Sequence, residues 1–506
     1  MSTKESFIQE IQKNYQYKGD KIVLGKAKLN GEVLPEAEIS IALKTMNRHG
    51  LIAGATGTGK TKSLQILAEQ LSLKGVPSLL MDIKGDLSGI AAAGEADKGV
   101  QERQLLLGLD YTPAGAPVEL LSLSEEKGVR LRATVSEFGP ILFSKILELN
   151  DTQTSIISII FKYCDDKGLP LVDLADMRKV LQYVSDTDEG KKELTSNYGS
   201  ISPASLGTIL RKIVALEQQG ATRFFGELSF DVNDLMRTKD GKGVVSIIRL
   251  TDVQNKPNLF STFMLSLLAE IYETLPEAGD LDKPKLVIFI DEAHLIFNEA
   301  SKALLDQIET MVKLIRSKSV GIYFCTQVPG DVPDAVLSQL GLKIQHALRG
   351  FTAKDRKQIQ KAVENYPIST FYKADEVITQ LGIGEAFITA LNEKGIPTPL
   401  AHTYMRAPLS RMDVLSDQEI QSIVNESPLV SKYAEDLDKE TAFEILSKKI
   451  ESISAEKDAA PQKRAGRPRK EKSTLETILS DSTTKSFIRT IGNQIIRGLF
   501  GKISRR

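Results

Sequence analysis

Eight consecutive residues, Gly54-Ala55-Thr56-Gly57-Thr58-Gly59-Lys60-Thr61, place glycines at the first and sixth positions and a lysine and threonine directly after. Glycine lets the backbone curl until several N–H groups converge on one point. That geometry suits phosphate oxygens. Lys60 then reaches the β- and γ-phosphates, and the Thr61 hydroxyl is a Mg²⁺ ligand. Lys62 completes the cofactor-binding run. A second constellation is Leu286-Val287-Ile288-Phe289-Ile290-Asp291-Glu292, an apolar strand ending in two carboxylates. Asp291 is expected to hold Mg²⁺, and Glu292 to polarise the attacking water. Acids also favour the first turn of a helix, but that does not explain their occurrence alongside Gly54–Thr61. The Asp-Glu strand is expected to lie beside the phosphate-loop strand. A third segment, Ser319 to Gln327, reads as a strand ending in an amide. Gln327 is either a γ-phosphate or lytic-water sensor or a turn residue before Val328-Pro329-Gly330. Glu292 favours hydrolysis over simple binding. No Asn-Lys-x-Asp run is present to read guanine, so ATP is expected rather than GTP.

These residues need a scaffold. His49 to Ala53 reads as a short buried strand, and Lys62 to Lys74 as a helix with Leu64, Leu67, Ala68 and Leu71 on one face. Strand candidates recur at Val76–Asp82, Val244–Leu250, Leu286–Ile290 and Gly321–Cys325, with further ones at 343–349 and 384–390. Short strands alternating with helices imply a mostly parallel sheet with helices on both faces. Ile22–Gly25 and Ala37–Leu43 precede it as short strands. The boundaries expected are a small β-rich lead-in over 1–46 and an NTPase core over 47–124 and 238–408. A mostly helical insertion over 125–237 interrupts that core. A helical region over 409–453, a basic flexible linker over 454–475 and a basic amphipathic helix over 476–506 follow.

The 506 residues suffice for several domains. Net charge is −1, which gives no general attraction to nucleic acid. Cys164 and Cys325 form no metal or redox motif. The polar N-terminus carries no signal peptide, and no apolar run approaches spanning length. A cytoplasmic protein without an integral membrane segment is expected. His49, His346 and His402 lack metal spacing and read as structural, and His294 as a helix-start residue.

Taken in order, the Gly54–Thr61 loop, Asp82-Ile83-Lys84-Gly85-Asp86, Asp291-Glu292-Ala293-His294, Arg316 and Thr326-Gln327-Val328-Pro329 resemble the HerA/FtsK-type P-loop NTPases. Arg132 to Glu137, Leu149 to Gln153 and the tail from Arg489 to Gly498 resemble the bacterial helicase HerA-like group of the YjgR type in particular. The resemblance implies a RecA-like core, ATP and Mg²⁺ as cofactors, and DNA helicase or translocase activity. It also implies a homo-oligomer, for which a hexameric ring is one form, with ATP sites between subunits. Arg316 sits where relatives place an arginine finger acting in trans, and Arg349 is the second choice. The competing role for Arg316 is a solvated residue near a helix end. Asp82 and Asp86 either order the Mg²⁺ site or make a plain turn. One departure is that only about 46 residues precede the core, where DNA-pumping members carry a β-barrel. Asp291 to His294 spells D-E-A-H, but the later motifs of RNA helicases with that signature do not follow.

Residues 459–506 hold 12 Lys/Arg against 3 Asp/Glu. Lys463 to Lys470 contains Gly466-Arg467-Pro468, which is similar to an AT-hook core and can enter an A·T minor groove. The alternative is a solvated basic linker. Double-stranded DNA is therefore a possible partner. Phe487, Ile488, Ile491, Ile495, Leu499 and Phe500 form one stripe, suited to packing on the enzyme or on another subunit. An alternative to the motor is a slow ATPase acting as a nucleotide-controlled protein-interaction module without DNA translocation.

Overall fold

The computed structural model describes residues 3–459, apart from 124, 254–256, 280, 300–301, 351 and 435–439. Its strands are β1 (Lys21–Leu29), β2 (Glu32–Ala42), β3 (Gly50–Ala53), β4 (Ser78–Asp82), β5 (Val118–Ser122), β6 (Val129–Arg130), β7 (Thr238–Lys239), β8 (Lys242–Gly243), β9 (Val245–Arg249), β10 (Leu286–Ile290), β11 (Val320–Thr326), β12 (Leu342–Gln345), β13 (Glu385–Thr389) and β14 (Ala401–Met405). β7 and β8 form a hairpin. The others form one sheet in the order β2-β1-β14-β13-β12-β3-β11-β10-β4-β9-β5-β6. All pairs from β12 to β6 are parallel. Those from β12 out to β2 are antiparallel.

Parallel strands covered on both faces must be apolar along their length. β10 (Leu-Val-Ile-Phe-Ile) and β11 are buried at every position. The helix Lys60–Leu73 buries Leu64, Leu67, Ala68 and Leu71, the stripe expected from their spacing. This is the mostly parallel α/β core that the sequence pattern implies, and it fits the RecA-like fold that the resemblance implies.

One expectation needs correction. The Asp-Glu strand β10 does not lie beside the phosphate-loop strand β3, because β11 stands between them. The extra strand sets β10 two interstrand spacings, roughly 10 Å, from β3. It also carries Gln327 into the middle of the site. Register then aligns the strand ends. Ala53 pairs with Thr326, Phe324 with Ile290, and Ile290 with Met81. Gly54, Gln327, Asp291 and Ile83 therefore leave the sheet along one carboxyl edge.

The helix Thr3–Asn14 and β14 appear in addition to the elements read from sequence, and β1 and β2 are longer than expected. Between 125 and 237 the chain forms helices Val135–Ile146, Asp151–Lys167, Leu174–Asp186, Asp188–Tyr198 and Pro203–Gln218. Capping boxes at Thr134/Glu137 and Asn150/Gln153 start the first two. Two compact units result. One comprises residues up to Glu148, Leu171–Leu174 and Arg211–Lys439. The other comprises Leu149–Pro170, Ala175–Leu210 and residues 440–459. Within the second, the Phe443 N–H donates to Asp176 Oδ1 at 2.7 Å, and Tyr163 donates to Glu193 Oε2 at 2.7 Å. The helix Ala442–Ala459 enters the segment read as a linker. The rest of that linker, the AT-hook-like run and the terminal amphipathic helix lie outside the described residues. No described helix is long and apolar enough to cross a membrane.

Candidate nucleotide site

The phosphate loop is anchored to the strand ends on either side of β3. The Gly54 N–H donates to the Thr326 carbonyl at 3.2 Å, and the Ala55 N–H to the Ala347 carbonyl at 2.8 Å. Across the loop, Thr58 Oγ1 donates to the Ala55 carbonyl at 2.7 Å. Thr56 and Gly57 stand exposed at the tip, while Thr58 and Lys60 are buried. A Cβ at Gly54 would lie 2.5 Å from His346 Cβ, so only glycine fits there. Gly59 caps the helix Lys60–Leu73 with φ 116°, and no side chain bonds the cap. The first-turn N–H groups of a helix have no intrahelical partner, so those of Lys60, Thr61 and Lys62 are available to an anion.

His346 supports the loop from below. Its Nδ1 lies 2.9 Å from the Glu385 carbonyl, and its Nε2 lies 2.8 Å from Ser63 Oγ. A carbonyl only accepts, so Nδ1 carries the hydrogen. Burial pushes the imidazole pKa down to about 4, which keeps the ring neutral, and Nε2 accepts from Ser63. His49 is likewise buried and neutral, and its Nδ1 accepts from the Ile322 N–H at 3.0 Å. His402 pairs with Glu385 at 2.9 Å. These three serve the scaffold.

Lys60 lies across the loop, with Nζ 3.3 Å from the Ala55 carbonyl. Burial, then the neighbouring Lys84 ammonium, hold its pKa below the usual lysine value. The Lys62 ammonium turns instead to Gln65 and the Met412 carbonyl. Thr61 Oγ1 donates to Asp86 Oδ2 at 3.3 Å. The three carboxylates nearby are poorly satisfied. Asp291 Oδ2 and Asp86 Oδ1 are buried without a hydrogen-bond partner among the described residues. Burial, reinforced by Glu292, raises the Asp291 pKa to about 7. Glu292 takes a left-handed conformation, φ 48°, and points its carboxylate at Lys84, with which it pairs, and at His294 Nδ1, 3.1 Å away. Orphaned carboxylate oxygens next to a hydroxyl and an uncapped helix N-terminus fit a hard divalent cation carrying phosphate.

Gln327 lines an open cleft of about 320 Å³ together with Ala55, His294, Asp331 and Arg349. Lys60, Thr61, Asp291, Glu292 and Gln327 thus share one edge of the sheet. Arg316 does not join them. It is exposed just before β11 begins, whereas Gln327 follows where β11 ends, and the seven residues of β11 alone span roughly 23 Å. Arg349 lines the same cleft as Ala55 of the loop, and its Nη1 donates to the Thr379 carbonyl at 2.6 Å. Sequence reasoning gave no role to Lys84. Its only signal was its place inside Asp82-Ile83-Lys84-Gly85-Asp86.

Solved structures of the bacterial conjugative coupling protein TrwBdeltaN70 share this fold. The form in complex with sulphate has a TM-score of 0.51 at 13% identity, covering 81% of this chain and 94% of that one. The unbound monoclinic form has a TM-score of 0.50 at 14% identity with the same coverage. Plasmid coupling protein TrwB in complex with ADP and Mg²⁺ has a TM-score of 0.50 at 14% identity, covering 80% and 94%. No curated protein matches the chain. The pattern that defines the family "Helicase HerA-like C-terminal" matches residues 27–506, and the chain belongs to that family of P-loop NTPases.

Proposed function

We propose that this protein hydrolyses ATP with Mg²⁺ and uses the energy as a HerA/FtsK-type motor on double-stranded DNA, working as a ring. The observation that carries the ATPase part is the cluster of unpartnered carboxylate oxygens on Asp291 and Asp86, gathered at the uncapped start of the helix Lys60–Leu73. The backbone of Gly54 to Thr61 cradles the phosphates, and Lys60 leaves the Ala55 carbonyl for the β- and γ-oxygens. Thr61 and Asp291 hold Mg²⁺, which when bound neutralises charge on the phosphates. Glu292 takes the proton of a water that attacks the γ-phosphorus, and the β–γ bridging bond breaks to leave ADP and phosphate. Gln327, in the lining of the cleft, orients that water. Arg316 faces away from its own site, so any contribution to charge stabilisation is made in a neighbouring subunit. Translocation and the ring rest on family resemblance.

Glu292→Gln is expected to abolish turnover while sparing ATP binding, and retained turnover would sink the base assignment. Duplex DNA at low salt should raise the ATPase rate. The net charge of −1 supports a second reading, a slow nucleotide-controlled interaction module. A rate indifferent to DNA, with a monomer by light scattering with and without ATP, selects that one.

A further inference from the structure

Lys84 sits in the turn that follows β4. The Asp82 carboxylate fixes that turn by accepting the N–H groups of Gly85, Asp86 and Leu87 at 2.7, 3.2 and 3.1 Å. From this rigid base the Lys84 ammonium reaches the end of β10 and pairs with Glu292. The Glu292 side chain is 5% exposed and that of Lys84 is 35% exposed, so the lysine is the mobile partner. The Glu292 carboxylate is thus tied to Lys84 by charge, while His294 Nδ1 lies 3.1 Å from its other oxygen without hydrogen-bond alignment. A carboxylate held in this way is badly placed to accept a proton from water.

Lys84 also faces the phosphate site. It is the neighbour that most strongly disfavours the charged form of Lys60, and it favours the ionised form of Asp291. Two ammonium groups therefore stand close enough to repel each other, an arrangement that a polyphosphate relieves. Opening the pair leaves the buried Glu292 charge uncompensated, a cost that the charge-assisted bond of lysine to a desolvated phosphate must offset.

We propose that Lys84 is a second phosphate-sensing lysine, paired with Glu292 when no terminal phosphate is bound and transferred to the γ-phosphate when a nucleoside triphosphate binds, which frees Glu292. This rests on the ATPase reading above. It makes the site distinguish triphosphate from diphosphate through a contact within one subunit.

The test is calorimetric titration of the full chain with ADP and with a non-hydrolysable ATP analogue, both with Mg²⁺. Lys84→Met should weaken the analogue about tenfold or more and ADP by less than about twofold. Lys84→Arg, which keeps the charge, should retain most of the triphosphate preference and guards against a folding artefact. In a Glu292→Gln background the lysine has no carboxylate to leave, so Lys84→Met should cost the analogue more than it does in the wild type. Equal weakening of both nucleotides, or no weakening of either, overturns the proposal. Lys60→Ala separates the two levels. If it leaves both affinities intact, the ATPase reading itself fails. If it abolishes both while Lys84→Met is silent, only the lysine transfer fails.

Discussion

Asp82 and Asp291 end neighbouring parallel strands at the same level, each one residue past the paired Met81 and Ile290. Both are buried, at 1% and 3% exposure, and burial raises both carboxyl pKa values, to about 6 and about 7. They nevertheless do opposite work. Three backbone N–H groups of the turn Gly85 to Leu87 consume the Asp82 oxygens. Asp291 has Glu292 beside it, and its Oδ2 has no partner among the described residues. The residues that follow make the difference. Lys84-Gly85-Asp86 curls back on Asp82 as a turn, whereas Glu292 leads straight into the helix His294–Glu299. One strand-end aspartate builds a loop, and the other is left for a ligand.

The largest expected effect that tests this contrast comes from Asp291→Asn. If Asp291 is the ligand carboxylate, Mg²⁺-dependent ATP turnover should fall by about a hundredfold or more. The same substitution should stabilise the nucleotide-free protein. The folded pKa of about 7 lies above the ordinary carboxylate value, so ionising Asp291 opposes folding. That penalty is absent below the unfolded pKa, grows as pH rises toward about 7, and is complete above it. The stability gain of Asp291→Asn over wild type should therefore be on the order of a few kcal/mol at pH 8 and shrink toward pH 5. Taking this difference between two proteins cancels the opposite trend of His49 and His346, which stay neutral in the fold down to about pH 4. Denaturant melts at both pH values provide the check. A destabilised Asn variant at pH 8 would mean that Asp291 is held by partners, as Asp82 is.

Asp82→Ala should behave as the reverse. It strands three N–H groups in a buried turn, so a loss of about 3 kcal/mol is expected, with or without Mg²⁺. If Asp82→Ala melts like the wild type but loses Mg²⁺ affinity, the two aspartates have been assigned the wrong way round.

Sequence showed the carboxylate pair at Asp291-Glu292 because an apolar run ending in acids occurs in the same chain as Gly54–Thr61, and that loop showed itself through spacing and its place between a strand and a helix. It left Asp82 open between turn and metal site, since Lys-Gly-Asp suits either. Lys84 stayed hidden for a similar reason. A lysine in a polar turn looks solvated until the fold sets β4 beside β10. The order of β3, β11 and β10 was also beyond local pattern, because sheet order depends on crossovers rather than on the composition of any strand. Arg316 and Gln327 bracket one strand in sequence, yet its length holds them at opposite edges of the sheet. The helix Thr3–Asn14 buries only Phe7 and Ile11, too weak a stripe to stand out in a polar segment.

Asp86 lies between the two aspartates in character and gives the smallest effect. Its Oδ2 accepts from Thr61 Oγ1, as a residue orienting a metal ligand would, and its Oδ1 is buried without a partner. Its backbone N–H belongs to the turn that Asp82 holds. Asp86→Asn keeps that N–H and most of the side-chain volume, so the turn should survive and the melting temperature should barely move. What it removes is a negative charge next to Thr61. Mg²⁺-nucleotide affinity should fall about tenfold, as when an outer-shell partner of a metal ligand is lost, while metal-free nucleotide binding stays within about twofold. Titrating the nucleotide with and without Mg²⁺ separates these outcomes. Equal loss in both would mean that Asp86 shapes the phosphate loop itself, and Asp291 would then be the one strand-end carboxylate in this cluster devoted to the metal.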